Sequence, residues 1–148
     1  MITINVFSTK YNGVFHPFGI ESLYHLAVYI REKNIDIELD DLNTLTLEVF
    51  QYLINNNIIY VLENNWMKNK ELNKIKLSNN DLIKNIKEKM SSSKSMDEFY
   101  DFYWIKYQNW YREGLENKGL NVYTIKWNEF INERIGDLEK WIEENKPK

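Results

Sequence analysis

Residues 41–62, DLNTLTLEVFQYLINNNIIYVL, decide the fold because two different periodicities follow each other within them. In the first part, apolar residues recur every three or four positions, as they do along one face of an α-helix. Three consecutive asparagines then interrupt the pattern, and asparagine tolerates the left-handed conformation that ends many helices. The following segment, Ile58–Leu62, is short and rich in β-branched residues, which favours a strand. The stretch predicts a helix over residues 41–55, capped by Asp40 or Asp41, that leads directly into a strand.

The same patterns organise the flanking sequence. Helical periodicity predicts further helices over Ile20–Lys33, Ser78–Lys89, Asp97–Arg112 and residues 124–145, and alternation predicts strands over Thr3–Phe7 and Lys74–Leu77. Glycine and proline are scarce, and neither a repeat nor a long linker divides the chain. We therefore predict a mainly α fold, a single domain over residues 1–148 with four to five helices and a small β-hairpin near residues 58–77. The last helix is expected to bury its large side chains: Trp127, Phe130, Ile131, Leu138 and Trp141.

Composition excludes several classes of protein. The chain has no cysteine, which removes disulfide frameworks, thiolate metal sites and cysteine nucleophiles. No apolar run approaches the roughly 18 residues of a membrane span, and the N-terminus lacks the basic-then-apolar pattern of a secretion signal. We expect a cytoplasmic protein that contacts no membrane.

The sequence offers no complete catalytic or metal-binding set. Glu21 and His25 are four residues apart, so they could share one helix face and bind a metal, but two ligands leave a site unfinished. The other histidine, His16, precedes a proline and is expected to hold a turn. The five glycines occur singly, so they form no phosphate-binding loop. We therefore expect a protein without enzymatic activity, metal or cofactor.

Charge is segregated along the chain. The net charge is −3, but residues 36–66 contain six acidic residues and no basic one, whereas residues 67–94 contain eight lysines and three acidic residues. Blocks of this kind attract partners of opposite charge. The alternative is that the two blocks face each other or that each only solvates its own elements. If the acidic block binds a partner, that partner is basic; the rival is an acidic partner on the face Lys68–Lys94.

The predicted helix Asp97–Arg112 is the most aromatic part of the chain. Aromatic side chains would almost surround it: Phe99, Tyr100, Phe102, Tyr103, Trp104, Tyr107, Trp110 and Tyr111. They could fill the core, but a single helix face cannot bury all eight, and exposed Tyr and Trp dominate binding hot spots. We predict that the partner-binding surface combines this helix with the acidic block: Asp36, Glu38, Asp40, Asp41, Asp97, Glu98, Tyr100, Asp101, Tyr103 and Tyr107.

A winged-helix-like element is the alternative interpretation of residues 20–77. Their predicted order is helix, helix, strand, turn, strand, with residues 64–74 as the wing, and lysines on that wing could contact phosphate. The helix in the recognition position, residues 41–55, carries acidic residues and no lysine or arginine that could contact base edges. A nucleic-acid-binding regulator is therefore the second hypothesis, and we do not expect nucleic acid to be the partner.

Three stretches resemble the immunity proteins of contact-dependent growth inhibition and related polymorphic toxin systems. They are Gly19–Tyr24 at the start of the first helix, Leu47–Ile54 running into Asn57–Tyr60, and Phe99–Trp104. The resemblance implies a small protein that is not an enzyme and that binds the C-terminal domain of a cognate toxin, often covering its active site. Members of such systems share no binding residues, so the resemblance assigns no individual site residue.

Overall fold

The computed structural model describes residues 4–63, 73–75, 77–92, 103–121 and 126–148. Within these ranges the chain is mainly helical with a small antiparallel sheet, which confirms the predicted fold class. The elements are α1 (Leu23–Lys33), α2 (Leu39–Asn55), β1 (Ile59–Glu63), β2 (Asn73–Lys74), α3 (Asn79–Ser92), β3 (Tyr103–Tyr107), α4 (Asn109–Asn117), α5 (Trp127–Phe130) and α6 (Leu138–Asn145). In this part of the chain, no helix is long and apolar enough to cross a membrane.

Local sequence signals set where α2 ends. Asn57 adopts the left-handed conformation, with φ of 59°, immediately after the cap residue Asn56. The amide of Ile58 donates to the Leu53 carbonyl at 2.9 Å, which satisfies one of the last carbonyls of the helix. The predicted role of the asparagine run is confirmed, and the turn sends the chain directly into β1.

The described strands form one sheet in the order β2-β1-β3. β1 pairs antiparallel with β3, with Ile59 opposite Tyr107 and Val61 opposite Ile105. β2 pairs with the end of β1, which forms the predicted hairpin, although β2 covers Asn73–Lys74 instead of the predicted Lys74–Leu77. Because residues directly opposite each other share a face, the odd-numbered residues of β1 and β3 point to one side, and those whose burial is described lie in the core.

The prediction of one helix over Asp97–Arg112 is wrong for the part of this segment that the structure describes. Tyr103–Tyr107 is the strand β3, and a shorter helix, α4, begins at Asn109. Aromatic and β-branched residues also favour strands, and pairing with β1 decides between the two conformations. Gly114 lies inside α4, whereas Gly119 follows the helix with φ of 103°.

The predicted helix over residues 124–145 is interrupted. α5 continues into a π-helical turn, Ile131–Ile135, and the chain then bends at Gly136, which has φ of 84°. Asp137 starts α6 by accepting a hydrogen bond from the Lys140 amide at 3.1 Å. The expected core residues are nevertheless buried except for Trp127, which is half-buried: Phe130, Ile131, Leu138 and Trp141.

The N-terminal segment is not a strand in its described part. Residues 4–11 form turns, because the Asn5 side chain and carbonyl accept hydrogen bonds from residues two and three positions further on. Buried tyrosine hydroxyls hold the next stretch against the core. Tyr107 donates to the Val14 carbonyl at 2.5 Å, and Tyr111 donates to the Phe15 carbonyl.

Candidate protein-interaction surface

Residues 34–41, the acidic connection, join α1 to the first turn of α2. The Ile37 amide donates to the Asn34 carbonyl at 3.0 Å, which closes a four-residue turn with Ile35 and Asp36 at its tip. The Asn34 side chain donates to the hydroxyl of the buried Tyr11 at 2.8 Å. Hydrogen bonds on both the backbone and the core side therefore fix the shape of this turn.

Ile35 is displayed at the tip of the turn. Its exposed fraction is 85%, against 50% for Phe18 and 43% for Leu77, the other exposed large apolar side chains in the described ranges. The next apolar residue, Ile37, packs against the core. The turn thus separates two neighbouring isoleucines, one that anchors the connection and one that faces solvent.

Four carboxylates follow Ile35 in the sequence, whereas the exposed basic residues Arg31 and Lys33 precede it. Asp36, Glu38 and Asp40 are exposed and Asp41 is half-buried. None of these carboxylates forms an ion pair with a described residue. In the part of α3 that the structure describes, the three lysines 84, 87 and 89 are exposed, and no ion pair links them to the acidic connection. The described charges therefore give no support to the alternative in which the two blocks face each other.

The four carboxylates differ in what the fold requires of them. Asp40 and Asp41 lie in the first turn of α2, where each stabilises the helix through its dipole by about 0.3–1 kcal/mol. The predicted cap at one of these two residues is wrong, because the cap position belongs to Glu38, whose side chain makes no capping hydrogen bond. Asp36 lies outside the helix altogether. Glu38, at the cap position, also lies at the positive end of the α2 dipole, so among the four carboxylates only the charge of Asp36 has no described structural role.

The aromatic residues of the predicted surface that the structure describes are buried, whereas they were expected to be exposed. Tyr103 and Tyr107 are 7% and 6% exposed, so their prediction as exposed anchors is wrong. Tyr107 uses its hydroxyl to hold Val14, and Tyr103 accepts a hydrogen bond from the Lys89 ammonium group at 3.2 Å. The remaining members of the predicted set lie outside the described residues: Asp97, Glu98, Tyr100 and Asp101.

A signal for this burial was present in the sequence. Tyr103, Ile105 and Tyr107 alternate with Trp104 and Lys106, which is the period of a strand with one face in the core. The density of aromatic residues obscured that alternation. Ile35, by contrast, carries no sequence signal of exposure, because an isoleucine between helices is usually part of the core.

The histidines contribute structure. His16 accepts a hydrogen bond from the Phe18 amide through Nδ1 at 3.1 Å, which confirms its predicted role in a turn. Burial lowers the pKa of this histidine. Glu21 precedes Ser22, the cap of α1, so the assumption that it shares a helix face with His25 is wrong. Among the described residues, no group of three His, Asp or Glu side chains could hold a metal ion.

Buried tyrosine hydroxyls act as donors. Burial raises the pKa of Tyr107 and of Tyr111, so both hydroxyls keep their protons at neutral pH and donate to main-chain carbonyls. Burial and the nearby carboxylates of Glu139 and Glu143 raise the pKa of Tyr52 to about 12. These groups therefore cannot serve as bases near neutral pH.

The side chains of α2 give little support to the winged-helix alternative, in which this helix would contact nucleic acid. Its exposed side chains include Thr44, Glu48 and Asn55, and none of its residues is basic. Residues 64–72, most of the proposed wing, lie outside the described residues. β3 pairs with the edge of β1 opposite the hairpin.

No known protein family, curated protein or solved structure matches the chain. The resemblance to immunity proteins therefore rests on the sequence features given above. Beyond that resemblance, function is indicated by the ordered, exposed residues of the chain whose charges form no ion pair with a described residue.

Proposed function

We propose that the chain is a cytoplasmic immunity protein that binds and neutralises a bacterial toxin domain, a nuclease, by direct contact through the acidic connection. The observation that carries this proposal is a single one. An 85% exposed isoleucine stands on an ordered turn and is followed in the sequence by four carboxylates that have no ion pair with a described residue. The resemblance to immunity proteins supports the same class of partner.

The charge of the surface selects the partner. A nuclease presents positive charge to its nucleic-acid substrate, and an inhibitor that covers such a site gains from clustered carboxylates. Asp36 and Glu38 can approach a basic surface without giving up an ion pair with any described residue. Charges of this type mainly raise the association rate.

Ile35 supplies the apolar part of the contact. Burying an exposed isoleucine side chain contributes about 1.5–3 kcal/mol. The hydrogen bonds of Asn34 already order the turn, so binding has little conformational entropy left to remove there. An apolar centre with a polar rim is the usual arrangement of a protein–protein interface.

Co-expression tests the proposal. If a nuclease domain is encoded beside this gene, a cell that produces that domain should grow when it also produces this chain, and the two purified proteins should form a complex. We expect Ile35→Ser to weaken that complex by about tenfold or more, since about 1.4 kcal/mol corresponds to a factor of ten.

The matched control is Leu77→Ser, which removes another exposed apolar side chain outside the acidic connection. It should leave the affinity unchanged. Failure of the wild-type chain to protect the cell or to bind the toxin domain would contradict the function. Equal losses from the two serine variants would contradict the assigned surface.

A further inference from the structure

We propose that a groove beside β3 binds an extended segment of a protein partner, with an acidic side chain of that segment lying near Lys106. The groove has a volume of about 300 Å³ and involves no residue of the acidic connection. The inference is therefore independent of the proposed function.

The groove lies where, in the part of the chain that the structure describes, no strand pairs with the second half of β3. Ser22 pairs with Trp104, and the Ile105 amide donates to the Glu21 carbonyl at 2.8 Å. Further along β3 the neighbouring chain turns away, because the Gly19 amide bonds back to the His16 carbonyl at 3.0 Å. Among the described residues, the second half of β3 therefore borders a gap instead of another strand.

Two main-chain groups of β3 face away from β1, toward the edge that borders this gap. The Gln108 amide donates to the Ile58 carbonyl at 2.8 Å, which fixes the alternation of the ladder between β1 and β3. In that alternation the carbonyl of Ile105 and the amide of Tyr107 face away from β1. Neither group has a hydrogen-bond partner among the described residues, and both residues line the groove. A strand edge of this form is a template for adding an extended segment.

The side chains around the gap favour a segment that carries apolar side chains together with an acidic one. Phe18, half exposed, and Pro17 form an apolar wall, while Tyr60 lies opposite Lys106 on the neighbouring strand. Lys106 is exposed, and Arg112 keeps 40% of its side chain exposed despite a long ion pair of 3.8 Å with Glu116. Against these two cations the groove has one carboxylate, Glu21. Charge complementarity therefore selects an acidic side chain.

Hydrogen exchange of the full chain tests the site directly. The probe is the blocked peptide acetyl-Val-Thr-Glu-Val-Thr-amide, compared with the same peptide carrying lysine in place of glutamate. Tyr107 is buried, but its amide has no hydrogen-bond partner among the described residues, so we expect it to exchange faster than the neighbouring Gln108 amide, which donates to Ile58. Its exchange should slow by about tenfold once free glutamate peptide is about nine times its dissociation constant. The lysine peptide should bind more weakly.

Lys106→Glu should reverse the preference between the two peptides, since the side chain is exposed and its change does not disturb the core. The control Lys118→Glu, an exposed lysine outside the groove lining, should leave the preference intact. A Tyr107 amide that is already protected in the dilute free chain would overturn the proposal. So would equal binding of both peptides, absence of saturable binding, or protection that rises with protein concentration alone, which would indicate a second copy as the occupant.

Discussion

Single hydroxyl groups hold the first part of the chain in place. Val14 is fully buried, and its carbonyl accepts the hydroxyl of Tyr107. Tyr107→Phe leaves that buried carbonyl without its donor, so we expect the free energy of unfolding to fall by about 1–3 kcal/mol. Urea denaturation measures the loss. Unchanged stability together with weaker binding of the toxin domain would instead mean that Tyr107 acts at the surface, as its sequence context first suggested.

One histidine makes stability depend on pH. Burial lowers the pKa of His16 below its ordinary value of 6.5, so the folded state binds this proton more weakly than the unfolded chain. Its contribution to stability is therefore complete above pH 6.5 and is lost as the pH falls below that value. Protonation at Nδ1 would also remove the acceptor for the Phe18 amide.

Two substitutions at His16 separate its acceptor role from its titration. His16→Asn keeps a side-chain acceptor that cannot titrate, so the stability difference between about pH 7.5 and about pH 5 should shrink. His16→Phe should shrink it equally and should also lower stability at the higher pH. Urea unfolding at both pH values measures the effect. A pH dependence identical to that of the wild-type chain in both variants would contradict the role of His16.

At the scale of helices, α4 and α6 approach each other closely at a glycine. A Cβ atom on Gly114 would lie 2.9 Å from Cζ2 of Trp141, whose ring already packs against Trp110 and Tyr111. The steric overlap lowers the free energy of unfolding by about 1–3 kcal/mol. The higher helix propensity of alanine raises it by about 1 kcal/mol. We expect a net loss of about 1 kcal/mol for Gly114→Ala in urea denaturation. The control Glu113→Ala, on an exposed position of α4, should be close to neutral, and a more stable Gly114→Ala variant would contradict this packing.

The elements also show what the sequence could predict. Local chemistry acts within a few residues, so α1, α2 and α3, the asparagine turn and the hairpin follow from it. Pairing between distant residues decides Tyr103–Tyr107, because β1 supplies the hydrogen bonds that make it a strand. The same limit applies to the candidate site. The acidic residues were visible in the sequence, but the exposure of Ile35 depends on the turn that Asn34 closes.

At the scale of the whole molecule, the acidic residues of the connection fall into two groups that differ in their effect on stability. Asp40→Asn and Asp41→Asn remove negative charge from the first turn of α2, so each should lower stability by about 0.3–1 kcal/mol. Asp36→Asn removes a charge outside the helix, where no ion pair with a described residue is lost, so stability should stay within about 0.5 kcal/mol. Thermal or urea unfolding of the three variants distinguishes the groups. Equal destabilisation by all three would mean that Asp36 also serves the fold.

Association with the toxin domain tests which charged face of the molecule meets it. The double variant Asp36→Lys/Glu38→Lys should slow association about ten- to a hundredfold at low salt and flatten its salt dependence, because steering by opposite charge is lost. Glu129→Lys/Glu133→Lys makes the same change in net charge at exposed positions outside the connection, so it should have a smaller effect. Lys84→Glu/Lys87→Glu tests the rival face on α3. Association rates measured across a salt series distinguish the three variants. If the acidic-connection variant binds like the wild-type chain and the α3 variant does not, the interface lies on the lysine face instead.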